Sequence, residues 1–164
     1  MHQTNYAWLD EQPDDVVARE KLAEVYMRES SLEDAVTQYR IILKRIPAHV
    51  AALNNLAVLL TEDDPENAIE YAEKALRFSG GASAVLDTLA MAQLKNQQVV
   101  EAKRSIERAL SLSPDNANMQ FHQAQIMYAS GDRLDAIAAL EKLLATTAEF
   151  PQRQEVHAYL DSLD

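Results

Sequence analysis

The sequence predicts an all-α fold, a solenoid of stacked helix-turn-helix units, on three features. Small and large apolar residues recur in columns, Ala23, Ala57, Ala90 and Ala124, then Ala35, Ala68, Ala102 and Ala136, then Leu43, Leu76, Leu110 and Leu144, at steps of 33 or 34 residues. Each period holds two stretches with apolar residues at helical spacing. Pro13, Pro47 and Pro114 close matching turns. A unit of this length cannot bury its own apolar face, so it must stack on its neighbours.

The elements follow in order. Residues 1–12, with Tyr6, Trp8 and Leu9, run into a proline turn at Pro13 and read as the severed second helix of a preceding unit. The first helix of the first unit spans about Asp15 to Arg28, with Val16, Leu22, Ala23 and Tyr26 inward. Glu29-Ser30-Ser31 makes the turn, and Ser31 with Asp34 is a near capping box, the hydroxyl accepting from an orphan amide. The second helix stops at Pro47. In the second unit Leu53, Leu56, Ala57 and Leu60 share a face, and the acidic run Glu62-Asp63-Asp64 serves as a helix start, with Asp64 as N-cap and Pro65 at the first helical position. That helix ends at Gly80, where glycine takes the left-handed cap. The third unit closes its inter-helix turn at Asn96. The fourth does so at Gly131-Asp132, and a last helix from about Pro151 to Leu163 turns Val156, Tyr159, Leu160 and Leu163 to one face as a solvating cap. Tyr26, Tyr39 and Phe78 stand at core-type spacings.

Leu86, Leu89, Ala90, Ala102, Ile106, Ala109, Leu110 and Pro114 resemble a tetratricopeptide repeat. The resemblance covers Val16 to Ala148 and implies a right-handed α-α superhelix of four units, 16–49, 50–82, 83–116 and 117–148, preceded by a repeat remnant at 1–15 and followed by a capping helix at 149–164. The chain departs from the pattern at Gln93, Gln120 and Gln123, where apolar residues are usual, at Gly80 and Ala148, which replace the closing proline, and near Thr61 to Pro65, where one residue is missing. A narrower resemblance, carried by Ala52 to Ala57, Ala68 to Leu76 and Val85 to Ala90, is to tetratricopeptide lipoproteins of bacterial exopolysaccharide and exosortase systems. It implies a periplasmic export role; otherwise the compartment is open.

Composition excludes several classes. The net charge is −11. Acidity of this size opposes binding to phosphate backbones, so no nucleic-acid partner is expected. No apolar run approaches the roughly 20 residues of a membrane helix. The absence of cysteine removes disulfide and thiolate-zinc frameworks. His2, His49, His122 and His157 are scattered without metal-motif spacing, there is no glycine-rich phosphate loop, and Glu20 and Glu24 lack a nucleophile or a desolvating pocket. No cofactor, no metal and no enzymatic activity are expected.

The family resemblance implies a protein-interaction scaffold that holds a peptide or helix of a partner in a concave groove. Helical geometry places one stripe of each first helix away from the second helix. These stripes are Val17, Glu20, Glu24 and Met27; Ala51, Asn54, Val58 and Thr61; Ala84, Asp87, Met91 and Leu94; and Asn118, Phe121, Gln125 and Tyr128, with Asn55 and His122 beside them. The expected ligand is amphipathic, with basic or amide groups near Glu20 and Glu24 and apolar anchors over Met91, Leu94, Phe121 and Tyr128. An acidic chaperone tail is not expected. Relatives that hold such tails use Lys, Arg and Asn, whereas Glu20, Glu24, Ala84 and Thr88 stand at the matching places and only Asn55 agrees. The alternative is the repeat portion of an export assembly or the regulatory half of a larger enzyme. An open N-terminal edge at Tyr6, Trp8 and Leu9 is expected to permit self-association.

Overall fold

The computed structural model describes residues 8–146 and 149–163. Tyr6 and Ala148 lie outside that range. The described residues form helices joined by short turns: α1 (Val16–Arg28), α2 (Leu32–Arg45), α3 (Val50–Leu60), α4 (Pro65–Ser79), α5 (Ser83–Lys95), α6 (Val99–Leu112), α7 (Ala117–Ala129), α8 (Arg133–Thr146) and α9 (Arg153–Asp161). They fall into two compact units, divided between Gly80 and Gly81.

In the first unit α1 pairs with α2, α3 with α4, and α2 packs on α3. Its core is Ala23, Tyr39, Ile42, Ala52 and Leu56, all fully buried, with Val16, Met27, Leu43, Leu60 and Tyr71 closing over them. In the second unit α5 pairs with α6 and α7 with α8, α6 packs on α7, and α5 also meets α7 directly. Phe121, Ala124, Leu140, Leu143 and Val156 form a core there, with Tyr159, Leu160 and Leu163 of the capping segment packed against it.

Both alanine columns are inside. Ala23, Ala35, Ala57, Ala68, Ala90, Ala102 and Ala136 are fully buried, and Ala124 is 1% exposed. Their small size lets paired helix axes approach to the close end of the usual ~8–10 Å range. Leu, Ile and Tyr side chains then fill the layer, each contributing roughly 1.5–3 kcal/mol on burial. In the second repeat, one residue short, α3 has 11 residues where α1, α5 and α7 have 13, and α4 has 15 where α2, α6 and α8 have 14.

Three inter-helix turns have one construction. Ser31, Gln98 and Asp132 donate their amides to the carbonyls of Tyr26, Gln93 and Met127, while Ser30, Gln97 and Gly131 donate to Met27, Leu94 and Tyr128. This double bond pattern with a left-handed residue is the Schellman motif. The left-handed residues are Ser30 (φ 58°), Gln97 (φ 60°) and Gly131 (φ 97°). Asn96 is the C-cap, but Gln97 makes the left-handed step. In the second repeat Gly80 takes the left-handed cap as expected, with φ 68°.

The first helices are capped by a second shared device. Asp15, His49 and Asn116, each two residues beyond a closing proline, accept from the amides of Ala18, Ala52 and Met119. Asp64 caps α4 likewise, with Pro65 in its first turn.

Four expectations are corrected. Ser31 is the N-cap of α2 but makes no side-chain cap bond, unlike Asp15, His49, Asp64 and Asn116. Phe78 is 53% exposed. The buried stripe of α4 is Ala68, Ala72 and Ala75, and Phe78 projects roughly a quarter turn away from it. Leu9 is buried rather than exposed at the edge. Phe121, expected as an open apolar anchor, is buried beneath the capping segment.

Candidate functional site

The first-helix stripes are built by the same geometry in each repeat but end in different chemistry. In the first unit, α1 carries Glu20 and Glu24. The Glu24 carboxylate takes the Lys21 ammonium at 2.8 Å, and Glu20 Oε1 lies 3.8 Å from His49 Nδ1. Lys21 is held above its ordinary value, first by the hydrogen bond to Glu24 and then by its charge. On α3, Val58 is 46% exposed, while Asn54 is half-buried. Asn55 turns sideways and donates to the Tyr39 hydroxyl at 2.9 Å, so it braces the core. Burial pushes the Tyr39 phenol above its ordinary value, a shift that the bond from Asn55 opposes.

In the second unit, Asp87 of α5 is 8% exposed, and its Oδ1 lies 2.7 Å from Nδ1 of His122 on α7. A carboxylate can only accept, so Nδ1 carries the proton and the His122 tautomer is fixed. Met91 and Leu94 on α5 and Gln125 on α7 are half-buried. Tyr128 meets Tyr159 edge-on at 6.4 Å, with the Arg133 guanidinium over its ring, and Phe121 meets Tyr159 at 5.8 Å. The aromatic end expected to anchor a ligand is thus partly closed by α9. Burial raises the Tyr159 phenol above its ordinary value.

The structure joins Asp87 to His122 between α5 and α7, while Glu20, Glu24, Asn54 and Val58 of the first unit and Met91, Leu94 and Gln125 of the second stand on the stripes of their own helices. Asn55 and Phe121 leave the set. Among the described residues, the buried side-chain oxygens without a hydrogen-bond partner are Asn54 Oδ1 and Gln125 Oε1, and both lie on these stripes.

Sequence reasoning missed the role of His49, which stands where Asp15 and Asn116 cap. The signal was its place two residues after Pro47. It also missed two crevices at equivalent positions: one of about 260 Å³ lined by Pro13, Val16, Arg19 and Ile42, and one of about 360 Å³ lined by Pro114, Gln120, Gln123 and Leu143. Polar Arg19 and Gln120 stand there where Leu53 and Leu86 are buried in the middle repeats. No helix among the described residues is long and apolar enough to cross a membrane.

Comparison with known proteins agrees with this architecture. The chain is 26% identical over 152 residues to the cytochrome c-type biogenesis protein CycH of Rhizobium meliloti, a match that takes in 92% of this chain but only 32% of that protein. A tetratricopeptide repeat protein from Parabacteroides merdae superposes with a TM-score of 0.86 at 18% identity, over 98% of this chain and 63% of its own. YrrB, described as a TPR protein with an unusual peptide-binding site, superposes with a TM-score of 0.71 at 17% identity, over 98% of this chain and 86% of its own. The family profile described as Tetratricopeptide repeat matches residues 9–83 and 88–153. With the repeat period, the alanine columns and the shared turns, this match establishes that the chain belongs to the tetratricopeptide repeat family, whose fold supports a protein-interaction scaffold.

Proposed function

We propose that the chain is a non-catalytic scaffold holding a peptide or helical segment of a partner protein against the first helices of its repeats. The observation that carries this reading is the position of the two orphan oxygens, Asn54 Oδ1 and Gln125 Oε1. A buried acceptor left without a donor costs about 1–3 kcal/mol. Such an exception in a folded protein calls for an explanation, and a bound segment with N–H groups supplies one. The exposed Val58 and the acid pair Glu20 and Glu24 add apolar and electrostatic contacts on the same surface of the first unit. Thr88, the hydroxyl next to Asp87 in sequence, donates to the Ala84 carbonyl at 3.1 Å.

The test is selection of displayed dodecapeptides on the chain, followed by affinity measurement against a variant carrying Glu20→Lys, Glu24→Lys and Asn54→Ala. Selected peptides are expected to lose about tenfold or more in affinity, since reversing two charges and removing an acceptor each cost on the order of 1 kcal/mol. Unchanged affinity at unchanged helicity would move the site off these stripes.

A second reading rests on the 26% identity to CycH. It makes the partner a protein of cytochrome c biogenesis. Haem staining of c-type cytochromes in a strain lacking the gene decides it: their loss supports this reading, and wild-type levels overturn it.

A further inference from the structure

The geometry points to Asp87, His122 and Gln125 as a guanidinium-reading site, which takes an arginine side chain of the partner segment into the second unit. The inference rests on the scaffold reading and names the chemistry of one contact within it.

Asp87 of α5 and His122 of α7 meet directly, and Gln125 lies one turn beyond His122. The Asp87 side chain is 11% exposed and its carboxylate uses one oxygen, Oδ1, on His122. Its other oxygen has no protein donor among the described residues. Because Nδ1 of His122 donates to Asp87, the ring in its uncharged form offers Nε2 as a lone pair. Gln125, one turn along the same helix, holds an orphan Oε1.

Neither α5 nor α7 places a cation beside them. Helix α7 contains neither Lys nor Arg, and α5 contains only Lys95, in its last turn and two turns beyond Asp87. A nearly buried carboxylate is ordinarily matched by a fixed cation. Here the match is a half-buried imidazole with a side chain 19% exposed, which ties the two helices and leaves acceptor capacity over. Arginine fits that remainder. It presents five N–H donors in a planar fork, whereas a lysine ammonium offers three from a point and needs a fuller hydration shell. The competing account makes Asp87–His122 only a structural tie between α5 and α7, which predicts a stability effect and no ligand.

The experiment titrates the ¹⁵N-labelled full chain with N-acetyl-arginine N-methylamide and with its citrulline counterpart, which keeps the shape and loses the charge. The expected result is perturbation of backbone amides confined to α5 and α7, with arginine binding about tenfold tighter than citrulline, the difference between charge-assisted and neutral hydrogen bonds. Asp87→Asn is expected to remove that preference. Gln125→Met leaves the Asp87–His122 contact intact and is expected to weaken arginine binding severalfold without lowering the melting temperature. Equal response to arginine and citrulline, shifts elsewhere, or unchanged binding in Gln125→Met would overturn the assignment and leave the tie. If display-selected peptides still depend on Glu20, Glu24 and Asn54 while the arginine titration fails, the reading site falls and the scaffold stands. If no peptide is selected, the scaffold reading falls and the titration still decides this site.

Discussion

Arg19 and Gln120 stand at the same place in the first and fourth repeats, and each returns an N–H to the carbonyl of the closing proline six residues upstream. Arg19 Nη2 reaches Pro13 O at 2.7 Å and Gln120 Nε2 reaches Pro114 O at 2.8 Å. At the same place in the second and third repeats, Leu53 and Leu86 fill the core instead.

The first prediction follows from that contrast. Gln120→Leu should fill the crevice beside Pro114, gaining roughly 1.5–3 kcal/mol of leucine burial against a lost hydrogen bond of about 0.5–1.5 kcal/mol. A net rise in stability of about 1 kcal/mol is expected in urea unfolding. A lowered midpoint at unchanged slope would show that the bond to Pro114 outweighs packing.

The Schellman turns give a second prediction. Ser30 and Gln97 hold left-handed backbones that Gly131 holds without strain. Ser30→Gly and Gln97→Gly should each stabilise the chain by about 0.5–1 kcal/mol, because a Cβ in this conformation costs about 1–2 kcal/mol and glycine's looser unfolded state offsets part of the gain. Gly131→Ala should lower stability by a similar amount. Thermal melts of the three variants check the signs.

The buried Gln93 and Ser105 carry a third. The Ser105 hydroxyl donates to Gln93 Oε1 at 2.7 Å, with both residues more than nine-tenths buried. Gln93→Leu or Ser105→Ala alone strands a polar group and should cost about 1–3 kcal/mol. The double variant should lie within about 1 kcal/mol of wild type, so the double-mutant cycle should show coupling. Additive losses would mean that the pair contributes by shape alone.

The fourth prediction concerns acid. The Ala18 amide and then the Trp8 indole N–H, at 2.9 Å, hold the Asp15 carboxyl below its ordinary value. A depressed folded pKa contributes stability above the unfolded pKa, and that contribution is lost as pH falls through the folded value. Trp8 is the single tryptophan. Its emission should therefore change with a midpoint below the ordinary aspartate range, and Asp15→Asn should abolish that transition. A midpoint at the ordinary value would show that the contact is not formed.

What the sequence disclosed is what repetition makes visible. The alanine columns, the closing prolines and the cap at Gly80 each answer a steric demand that only small residues, proline or glycine meet, so residue type alone identifies them. Ser31 and Phe78 misled because their outcome turns on the orientation of one hydroxyl and on a quarter turn of helix. The stripe rule singled out Asn54, Asp87 and Gln125 as candidates, yet it did not foresee that Asn55 braces Tyr39 or that α9 covers Phe121. Those depend on which neighbour arrives, and spacing within one helix carries no such information.

The Gln93–Ser105 bond also bears on how this chain avoids confusing its own parts. Four near-identical helix pairs present interchangeable alanine seams, so a second helix could dock on the wrong first helix during folding. The places matching Gln93 are Tyr26, Leu60 and Met127, and those matching Ser105 are Gln38, Tyr71 and Ala139. Pairing α5 with α8 would strand the Gln93 amide against Ala139, and pairing α6 with α3 or α7 would strand the Ser105 hydroxyl against Leu60 or Met127, penalties that the correct pairing avoids. The bond acts as an address label. Erasing it from both sides should leave the native state nearly as stable while lowering the yield of monomer on refolding, as swapped and trapped forms lose their disadvantage.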